Sequence, residues 1–246
     1  MAEDVVKSVG RVFEVLELWR TAREPLNATQ VERQLNYPQS STLALLKSLV
    51  KLGYLSFDRI ERTYFPTMRV AHLGEWLETS VYGNGQLPAL IEEVSDRTGE
   101  TVSLSCQNDL QMQFVQIRPG SKPLMVNIQV GAFAPLFSST VGWTALSIKP
   151  DADIAKLVGR QNRRSKPAEL KASLPAVMEQ VEQVRARGYG IGFDTYVHSV
   201  GAVAWVLPGD NQTRPLVLSV AGPSDAIRAE ADHIVRSVRA AFKACF

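Results

Sequence analysis

The sequence predicts an α+β protein with two domains joined by a helix. We expect a small N-terminal domain of helices and one hairpin, and a C-terminal domain whose mainly antiparallel six-stranded sheet is flanked by helices. Three observations lead to this fold. The length of 246 residues suits two domains of about 100–200 residues each. The first third carries short amphipathic helices separated by turn signals. From residue 86 onward, a helix, three strands, helices, three strands and a last helix follow one another.

Residues 8–52 predict three helices, the last two separated by a tight turn. The first begins at Ser8. Asn27 is a favourable helix cap, and Gln30 can bond back to its backbone, so the second helix runs from Ala28 to Leu35. Pro38 then starts a third helix, since proline is tolerated in a first helical turn. This third helix places a set of apolar side chains inward at helical spacing: Leu43, Leu46, Leu49, Val50 and Leu52.

A hairpin follows the third helix. Gly53–Phe57 and Thr63–Phe65 bracket a short turn that carries Arg59 and Arg62 near its tip. Two helices joined by a tight turn and followed by such a hairpin are typical of a winged helix-turn-helix, which we expect for residues 1–66. The two arginines would then grip the flanking groove or backbone of duplex DNA.

Double-stranded operator DNA is the partner that this domain predicts. The first turn of the third helix is polar and uncharged, so it can read base edges or anchor phosphates. Residues 1–82 hold ten basic and ten acidic residues, but residues 33–69 hold six basic and two acidic ones, a local positive charge. The alternative is a small-molecule sensor whose helical N-terminus recruits a protein partner. The predicted DNA contacts are Gln39, Ser40, Ser41, Thr42, Lys47, Arg59 and Arg62.

Residues 67–82 predict a helix that links the domains. One of its faces is apolar, and Gly83-Asn84-Gly85 then breaks the chain. An apolar face at this place usually packs against a second copy of the chain or against the neighbouring domain, and we expect the helix to contribute to a dimer. The predicted boundaries are 1–66, 67–82 and 83–246. The apolar face carries Val70, Leu73, Trp76 and Leu77.

The C-terminal domain begins with a helix that ends at Gly99, because glycine favours helix ends. Alternating apolar residues between turn signals predict strands at 101–107, 110–117, 124–130, 189–197, 200–207 and 215–221. Helices are predicted at 140–148, 151–159 and 168–187, and a final amphipathic helix begins at Ser224 or Asp225.

The sequence does not indicate catalysis or a metal site. None of the three histidines, His72, His198 and His233, has partners at metal-ligand spacing. Asp194 and His198 could form an acid/base pair, but no serine or cysteine elbow accompanies them. We expect a protein that is not an enzyme and that needs no cofactor.

The sequence does not indicate secretion or a membrane span either. Cys106 and Cys245 are too few for a disulfide framework or a structural zinc site. No apolar run approaches the roughly 20 residues of a membrane span, and the acidic N-terminus is not a secretory signal. A reduced, cytoplasmic setting is expected.

Six short motifs occur in order over nearly the whole chain. They are Ser8-Val9 with Arg11, Pro38 to Leu49 with Gly53-Tyr54-Leu55, Thr98 to Val102, Pro135-Leu136 with Gly142, Arg187-Gly188-Tyr189, and Leu218 to Pro223. In this order and spacing, the chain resembles the IclR-type bacterial transcriptional regulators. The resemblance implies a winged helix, a linker helix and a GAF-like C-terminal domain that binds a small organic acid effector. It also implies a homodimer or a homotetramer, built as a dimer of dimers, on a partly palindromic operator.

The resemblance further implies that the effector lies against the sheet. Its carboxylate would meet the N-terminus of the helix that follows Pro135-Leu136, where the backbone N–H groups of residues 139–142 are free to bind an anion. The effector-binding positions are Val126, Phe133, Ala134, Thr140, Val141, Gly142, Gly192, Val200, Ala202, Ser219 and Ala221.

Three of these positions depart from family members that bind glyoxylate or pyruvate. Gly192 stands in place of an aspartate, Ala202 in place of a cysteine, and Ala221 in place of the second of two serines. These replacements leave the effector site with fewer hydrogen-bonding side chains and a larger volume. We therefore predict an effector with an aromatic or otherwise bulky apolar body, such as a benzoate or a cinnamate. Phe133, Phe137 and Trp143 are close to the site in sequence, where each could contact the effector or fill the core.

Overall fold

The structure, a computed structural model, describes residues 6–80, 86–164, 171–208 and 215–245. For residues 76–80 it describes the backbone but not the side chains. The chain divides into two compact units, residues 1–84 and 85–246. Within the described ranges, no helix is long and apolar enough to cross a membrane.

Within residues 6–80, the first unit contains four helices and three short strands. The strands pair in the antiparallel order β1-β3-β2. This arrangement confirms the predicted winged helix-turn-helix, with β2 and β3 as the wing. The elements are α1 (Lys7–Ala22), β1 (Leu26–Asn27), α2 (Ala28–Leu35), α3 (Gln39–Lys51), β2 (Leu55–Asp58), β3 (Thr63–Pro66) and α4 (Met68–Ser80).

Local interactions determine where α2 begins and how the chain turns from α2 into α3. The Asn27 side chain accepts a hydrogen bond from the Gln30 N–H at 2.9 Å, and the Gln30 side chain accepts one from the Asn27 N–H at 2.8 Å. This is the capping box that the sequence predicts. Asn36 ends α2 in the left-handed conformation, which asparagine adopts more readily than most residues, and Pro38 precedes α3 in an extended conformation.

The core of the first unit lies where α1, α2 and α3 meet the wing. Leu52 was predicted to face this core, but it is 57% exposed because α3 ends at Lys51 and the chain turns at Gly53. Leu73 on α4 is exposed, while the side chains of Trp76 and Leu77 and the predicted break at 83–85 lie outside the described residues. The core residues are Val15, Trp19, Leu26, Val31, Leu46, Leu49, Leu55 and Tyr64.

The second unit is built on an antiparallel six-stranded sheet in the order β6-β5-β4-β9-β8-β7. Its helices are α5 (Gln86–Thr98), α6 (Thr140–Leu146), α7 (Asp151–Arg164), α8 (Leu174–Arg187) and α9 (Ser224–Cys245). Its strands are β4 (Thr101–Asn108), β5 (Gln111–Arg118), β6 (Phe133–Pro135), β7 (Gly190–Phe193), β8 (Val200–Val206) and β9 (Leu216–Pro223).

Helices cover both faces of this sheet. Gly192 and Gly201 belong to adjacent register pairs and therefore point to opposite faces. Gly192 faces Thr140 of α6, whereas Gly201 faces Ile227 of α9. The core on the α6 side includes Phe114, Leu136, Val141 and Val217. The α6 face is therefore the one against which the sequence predicts the effector.

The prediction of a third strand at 124–130 is wrong. The third strand of the second unit is β6, at Phe133–Pro135, and residues 124–130 belong to no strand. Val126 and Ile128 are half-buried there, whereas Leu124 and Val130 are exposed. The alternation of exposed and half-buried side chains resembles the pattern of a strand, but here it arises because the segment crosses over the sheet.

Other predicted elements differ in extent, among them the helix predicted at 151–159, which continues to Arg164. The strand predicted at 189–197 ends at Phe193, because Asp194 adopts a left-handed conformation and opens a loop over 194–199. The helix predicted at 168–187 begins at Leu174 in the structure, and residues 165–170 lie outside the described ranges.

Candidate functional site

The exposed face of α3 carries polar and basic side chains. Gln39, Ser40 and Lys47 are exposed, and Ser41 is half-buried. Thr42, which was predicted to contact DNA, is instead 1% exposed. Its hydroxyl donates a hydrogen bond to the Pro38 carbonyl at 3.2 Å. The direct DNA contact predicted for Thr42 is therefore wrong, because this side chain is buried and its hydroxyl stabilises the first turn of α3.

The wing presents Arg59 and Arg62 on an ordered turn. The Asp58 carboxylate accepts hydrogen bonds from the N–H groups of Ile60 at 2.7 Å and Glu61 at 3.0 Å. Arg62 adopts a left-handed conformation as the chain enters β3. Both arginine side chains are exposed, so the turn holds two cations at the tip of the wing.

Not every basic residue between positions 33 and 69 faces solvent freely. The Arg69 guanidinium donates to the Leu52 carbonyl at 2.8 Å and lies 4.9 Å from the centre of the Tyr54 ring. Arg69 therefore ties α4 to the end of α3. Apart from Arg69, the exposed cations of this stretch are Arg33, Lys47, Lys51, Arg59 and Arg62, which suit a polyanionic backbone.

A cavity of about 360 Å³ lies in the second unit on the α6 face of the sheet. Its floor includes Ala202 and Ala221, which are register partners on β8 and β9. Segment 119–132 and loop 194–199 supply its walls, and the start of α6 closes it. Eight of the eleven predicted effector positions line it: Val126, Phe133, Thr140, Val141, Val200, Ala202, Ser219 and Ala221.

Three predicted positions do not line this cavity. Ala134 is fully buried and pairs with Met112 in the sheet. Gly142 donates its N–H to the Ser139 hydroxyl at 3.1 Å, and a Cβ there would collide with the Leu136 carbonyl. A Cβ on Gly192 would collide with the Thr140 hydroxyl, so the space that Gly192 was predicted to free is already filled.

Sequence reasoning missed eight lining residues. Those on the segment 124–130 were assigned to a strand, and those on the loop 194–199 were assigned to the end of another. In both cases the missed residues are half-buried or exposed, and periodicity does not show which cavity they border. Phe137 and Trp143 do not line the cavity, and the Trp143 indole donates to the Phe137 carbonyl at 2.8 Å. The missed residues are Phe114, Asn127, Ile128, Gln129, Ala132, Thr195, Tyr196 and Val197.

The cavity is mainly apolar, and the described residues that line it are all uncharged. Its polar groups are hydroxyls and side-chain amides, among them Ser219, whose hydroxyl lies 2.8 Å from that of Ser103. Desolvation raises the pKa of the Tyr196 hydroxyl above its usual value of 10.0, so this group stays protonated at neutral pH. Such a site can bind an apolar body and form a few hydrogen bonds.

The described residues contain no group of three or more His, Cys, Asp or Glu side chains that could hold a metal ion. The His198 ring lies 3.9 Å from the Asp194 carboxylate, but its side chain is 94% exposed. Asp194 accepts hydrogen bonds from the Ser199 N–H at 2.6 Å and the Ser224 hydroxyl at 3.1 Å. The Asp194 carboxylate thus stabilises a loop.

Comparison with known proteins identifies relatives over both units. A family model for the C-terminal domain of IclR bacterial transcriptional regulators matches residues 86–245, and one for the IclR helix-turn-helix domain matches residues 8–59. The transcriptional regulator XynR of Escherichia coli (strain K12) is 24% identical over 201 residues, which are 81% of this chain and 79% of XynR. The regulator TsaQ1/TsaQ2 of Comamonas testosteroni is 25% identical over 224 residues, which are 90% of this chain and 80% of that protein.

A solved structure shows the same fold. The crystal structure of the Thermotoga maritima IclR aligns with a TM-score of 0.64 at 15% identity, covering 97% of this chain and 98% of that one. These relatives are transcriptional regulators and not enzymes.

Proposed function

This chain belongs to the IclR family of bacterial transcriptional regulators, and we propose that a small organic acid, with an aromatic carboxylate favoured, modulates its binding to operator DNA. The proposal assigns DNA binding to residues 1–66, the connection to residues 67–82 and effector binding to residues 83–246. The observation that carries it is the uncharged, mainly apolar cavity of about 360 Å³ in the second unit.

DNA binding is assigned to the exposed face of α3 and to the wing. The Ser40 hydroxyl is small and the Gln39 side chain ends in an uncharged amide, so the helix start can approach base edges, and Ser41 is half-buried beside them. Lys47 follows two turns later, and Arg59 and Arg62 sit at the wing tip. These three cations would neutralise phosphates on either side of the groove that α3 enters.

Fluorescence anisotropy tests this assignment. The full chain is titrated against DNA from the intergenic region upstream of its own gene and against a shuffled sequence of the same length, at several salt concentrations. The proposal expects at least tenfold tighter binding to the native sequence throughout. Equal binding to both sequences would contradict a specific regulator, and no salt-dependent binding at all would favour recruitment of a protein partner.

Assembly as a homodimer, alone or paired into a homotetramer, is supported by exposed apolar residues in the first unit. Val6, Val9 and Phe13 are 65%, 51% and 57% exposed at intervals of three and four residues, so they form one stripe that continues onto α1. Met68 and Leu73 are similarly exposed on α4. A second copy of the chain that covers these residues would place two copies of α3 on two half-sites of an operator.

Sedimentation equilibrium tests this surface with Phe13→Glu, which places a charge in the stripe. The variant should dissociate at concentrations at which the wild type is dimeric, while Arg20→Glu, also on α1 and exposed, should not. An unchanged dimer in Phe13→Glu would show that the stripe is not the interface.

The effector class follows from the lining of the cavity. A volume of about 360 Å³ lies within the roughly 300–1,000 Å³ of small-molecule sites. Burial of roughly 100 Å² of ring surface contributes about 2.5 kcal/mol. The ring would lie over Ala202 and Ala221. The carboxylate would meet the N–H groups of Thr140 and Val141 at the start of α6, with the Ser219 hydroxyl nearby.

A calorimetric titration of the full chain tests the effector class. Benzoate and cinnamate are compared with glyoxylate and pyruvate under the same conditions. We expect binding of at least one aromatic acid and at least tenfold weaker binding of the two small acids. Tight binding of glyoxylate or pyruvate without binding of either aromatic acid would overturn the aromatic assignment and leave the regulator assignment intact.

Effector binding would act by shifting the population of dimer geometries. A ligand changes such an equilibrium only by binding one state more tightly than the other. Solution X-ray scattering of the dimer with and without the bound acid measures whether the two DNA-binding domains change their separation. An identical scattering curve at saturation would contradict this mechanism.

A further inference from the structure

One wall of the cavity is a segment that belongs to no helix or strand. Residues 119–132, here called the wall segment, run from the end of β5 to the start of β6. Five of its residues line the cavity: Val126, Asn127, Ile128, Gln129 and Ala132. At the end of the segment the Phe114 N–H of β5 donates to the Ala132 carbonyl at 2.9 Å, and the Phe114 carbonyl accepts from the Gly131 N–H at 2.7 Å, so further contacts must hold the part before Gly131 over the cavity.

Backbone contacts hold the wall segment at the start of β4. The Thr101 hydroxyl donates to the Val126 carbonyl at 2.9 Å and accepts from the Gly120 N–H at 3.1 Å. The Gly99 carbonyl accepts from the Ser121 N–H at 3.0 Å. Gly120 packs so closely that a Cβ there would lie 2.8 Å from the Gly99 carbonyl oxygen.

A charged side chain adds a second anchor at the same place. The Lys122 ammonium lies 2.9 Å from the Glu100 carboxylate and 2.9 Å from that of Glu230 on α9. Although desolvation alone would lower the pKa of Lys122, hydrogen bonds to the two carboxylates raise it, so the side chain stays charged. Lys122 therefore joins the wall segment, the sheet and α9.

Glu100 makes this contact stronger than a surface ion pair. Its side chain is fully buried, and its Oε2 atom has no hydrogen-bond partner among the described residues. The carboxylate packs against Gly222, where a Cβ would lie 2.7 Å from its Cδ atom. A buried carboxylate that loses its paired cation is strongly destabilising. The fold therefore favours the position of the wall segment in which Lys122 meets Glu100.

The opposite wall contacts the same helix. Loop 194–199, which contributes Thr195, Tyr196 and Val197 to the cavity, is held by the Asp194 bond to the Ser224 hydroxyl. The Ser224 N–H also donates to the Ser199 carbonyl at 2.9 Å. Ser224 and Glu230 both lie in the first two turns of α9.

We propose that Lys122 is a positioning residue of the cavity: by pairing with buried Glu100 and with Glu230, it holds the wall segment in place and couples it to α9. The proposal rests on the assigned effector cavity for its functional meaning, but the anchoring itself does not require any ligand. It assigns to the first two turns of α9 a contact that both walls of the cavity share.

Hydrogen exchange of the full chain without ligand tests the anchor. In Lys122→Met, peptides that cover residues 123–131 should exchange at least tenfold faster, while those from the centres of β4 and β9 keep their wild-type rates. Lys122→Arg should restore slow exchange in the wall segment. Lys156→Met removes an exposed pair with Asp153 at 2.9 Å and is the matched control, for which no change is expected.

A second variant keeps the test decisive if Lys122→Met does not fold. Glu100→Gln/Lys122→Met removes the buried charge together with its cation and still lacks the contact with α9. Faster exchange confined to residues 123–131 supports the proposal. Wild-type exchange of those residues, in whichever of the two variants folds, overturns it. If neither benzoate nor cinnamate binds the wild type, the effector assignment fails separately, because the exchange experiment contains no ligand.

Discussion

The hydroxyl groups of Ser103 and Ser219 lie 2.8 Å apart on the neighbouring strands β4 and β9, and both side chains are almost completely buried. Ser219 lines the cavity, and Ser103 is its register partner. One of the two hydroxyls therefore donates to the other, and Ser219 keeps capacity for a further hydrogen bond to a ligand.

Removal of either hydroxyl should destabilise the second unit. Ser219→Ala leaves the Ser103 hydroxyl buried without this partner, which costs about 1–3 kcal/mol of unfolding free energy. The double variant Ser103→Ala/Ser219→Ala should lose less than the sum of the two single variants, since no orphan hydroxyl remains. Chemical unfolding monitored by a probe in the second unit measures all three. Ser105→Ala, whose hydroxyl makes a longer contact of 3.5 Å, is a control with a smaller expected loss. Strict additivity would show that the two hydroxyls are not coupled.

Filling the floor of the cavity should abolish ligand binding without unfolding the protein. Ala202→Phe places a benzyl group in the space of about 360 Å³ that the effector would occupy. The variant should keep the melting temperature of the wild type and lose at least tenfold in affinity for any aromatic acid that the wild type binds. Ala152→Phe, on the exposed surface of α7, should bind like the wild type. Undiminished binding in Ala202→Phe would place the ligand elsewhere.

The cavity should reject a second negative charge. Its described lining residues are uncharged, so one carboxylate can be met at the start of α6, but a second would be desolvated without a cation. Benzoate should therefore bind at least tenfold more tightly than phthalate in calorimetric titrations. The neutral benzamide controls for ring burial. Equal affinity for benzoate and phthalate would show that a second anion site exists.

The exposed lysine of α3 should contribute to DNA affinity through phosphate alone. Lys47→Ala should weaken binding equally for native and shuffled DNA and reduce the slope of log K against log salt by about 1. Arg20→Ala, on the exposed surface of α1, is the control with an unchanged slope. Thr42→Val, at the buried position, should also keep the wild-type slope. A sequence-dependent loss in Lys47→Ala would mean that this side chain reads bases.

A side chain at position 222 should collide with Glu100. Gly222→Ala places a Cβ 2.7 Å from the Glu100 Cδ atom, and overpacking of this kind costs about 1–3 kcal/mol. In a Glu100→Ala background the same substitution should cost much less, because the collision partner is absent. Gly159→Ala, whose Cβ would make only an ordinary contact at 3.5 Å, is the control. Equal destabilisation in both backgrounds would exclude this contact as the cause.

Helix ends and turns were predictable because they depend on residues close in sequence. The capping box of Asn27 and Gln30 starts α2, and Gly99 and Gly188 follow α5 and α8 with positive φ angles. The floor of the cavity was also predictable in part. Ala202, Ser219 and Ala221 were placed there by motif resemblance, and the structure shows them lining the cavity.

The sequence by itself determined the helix-turn-helix, the antiparallel sheet and the strands that form the cavity floor. These features follow from periodicity, capping and motif spacing. Only the tertiary structure decided that Thr42 is buried, that Thr140 fills the space beside Gly192, and that residues 124–130 form a wall and not a strand. The reason is physical: periodicity shows which side chains leave water, but the surface that buries them is supplied by residues distant in the chain. Lys122 and Glu100, which are 22 positions apart, are such a pair.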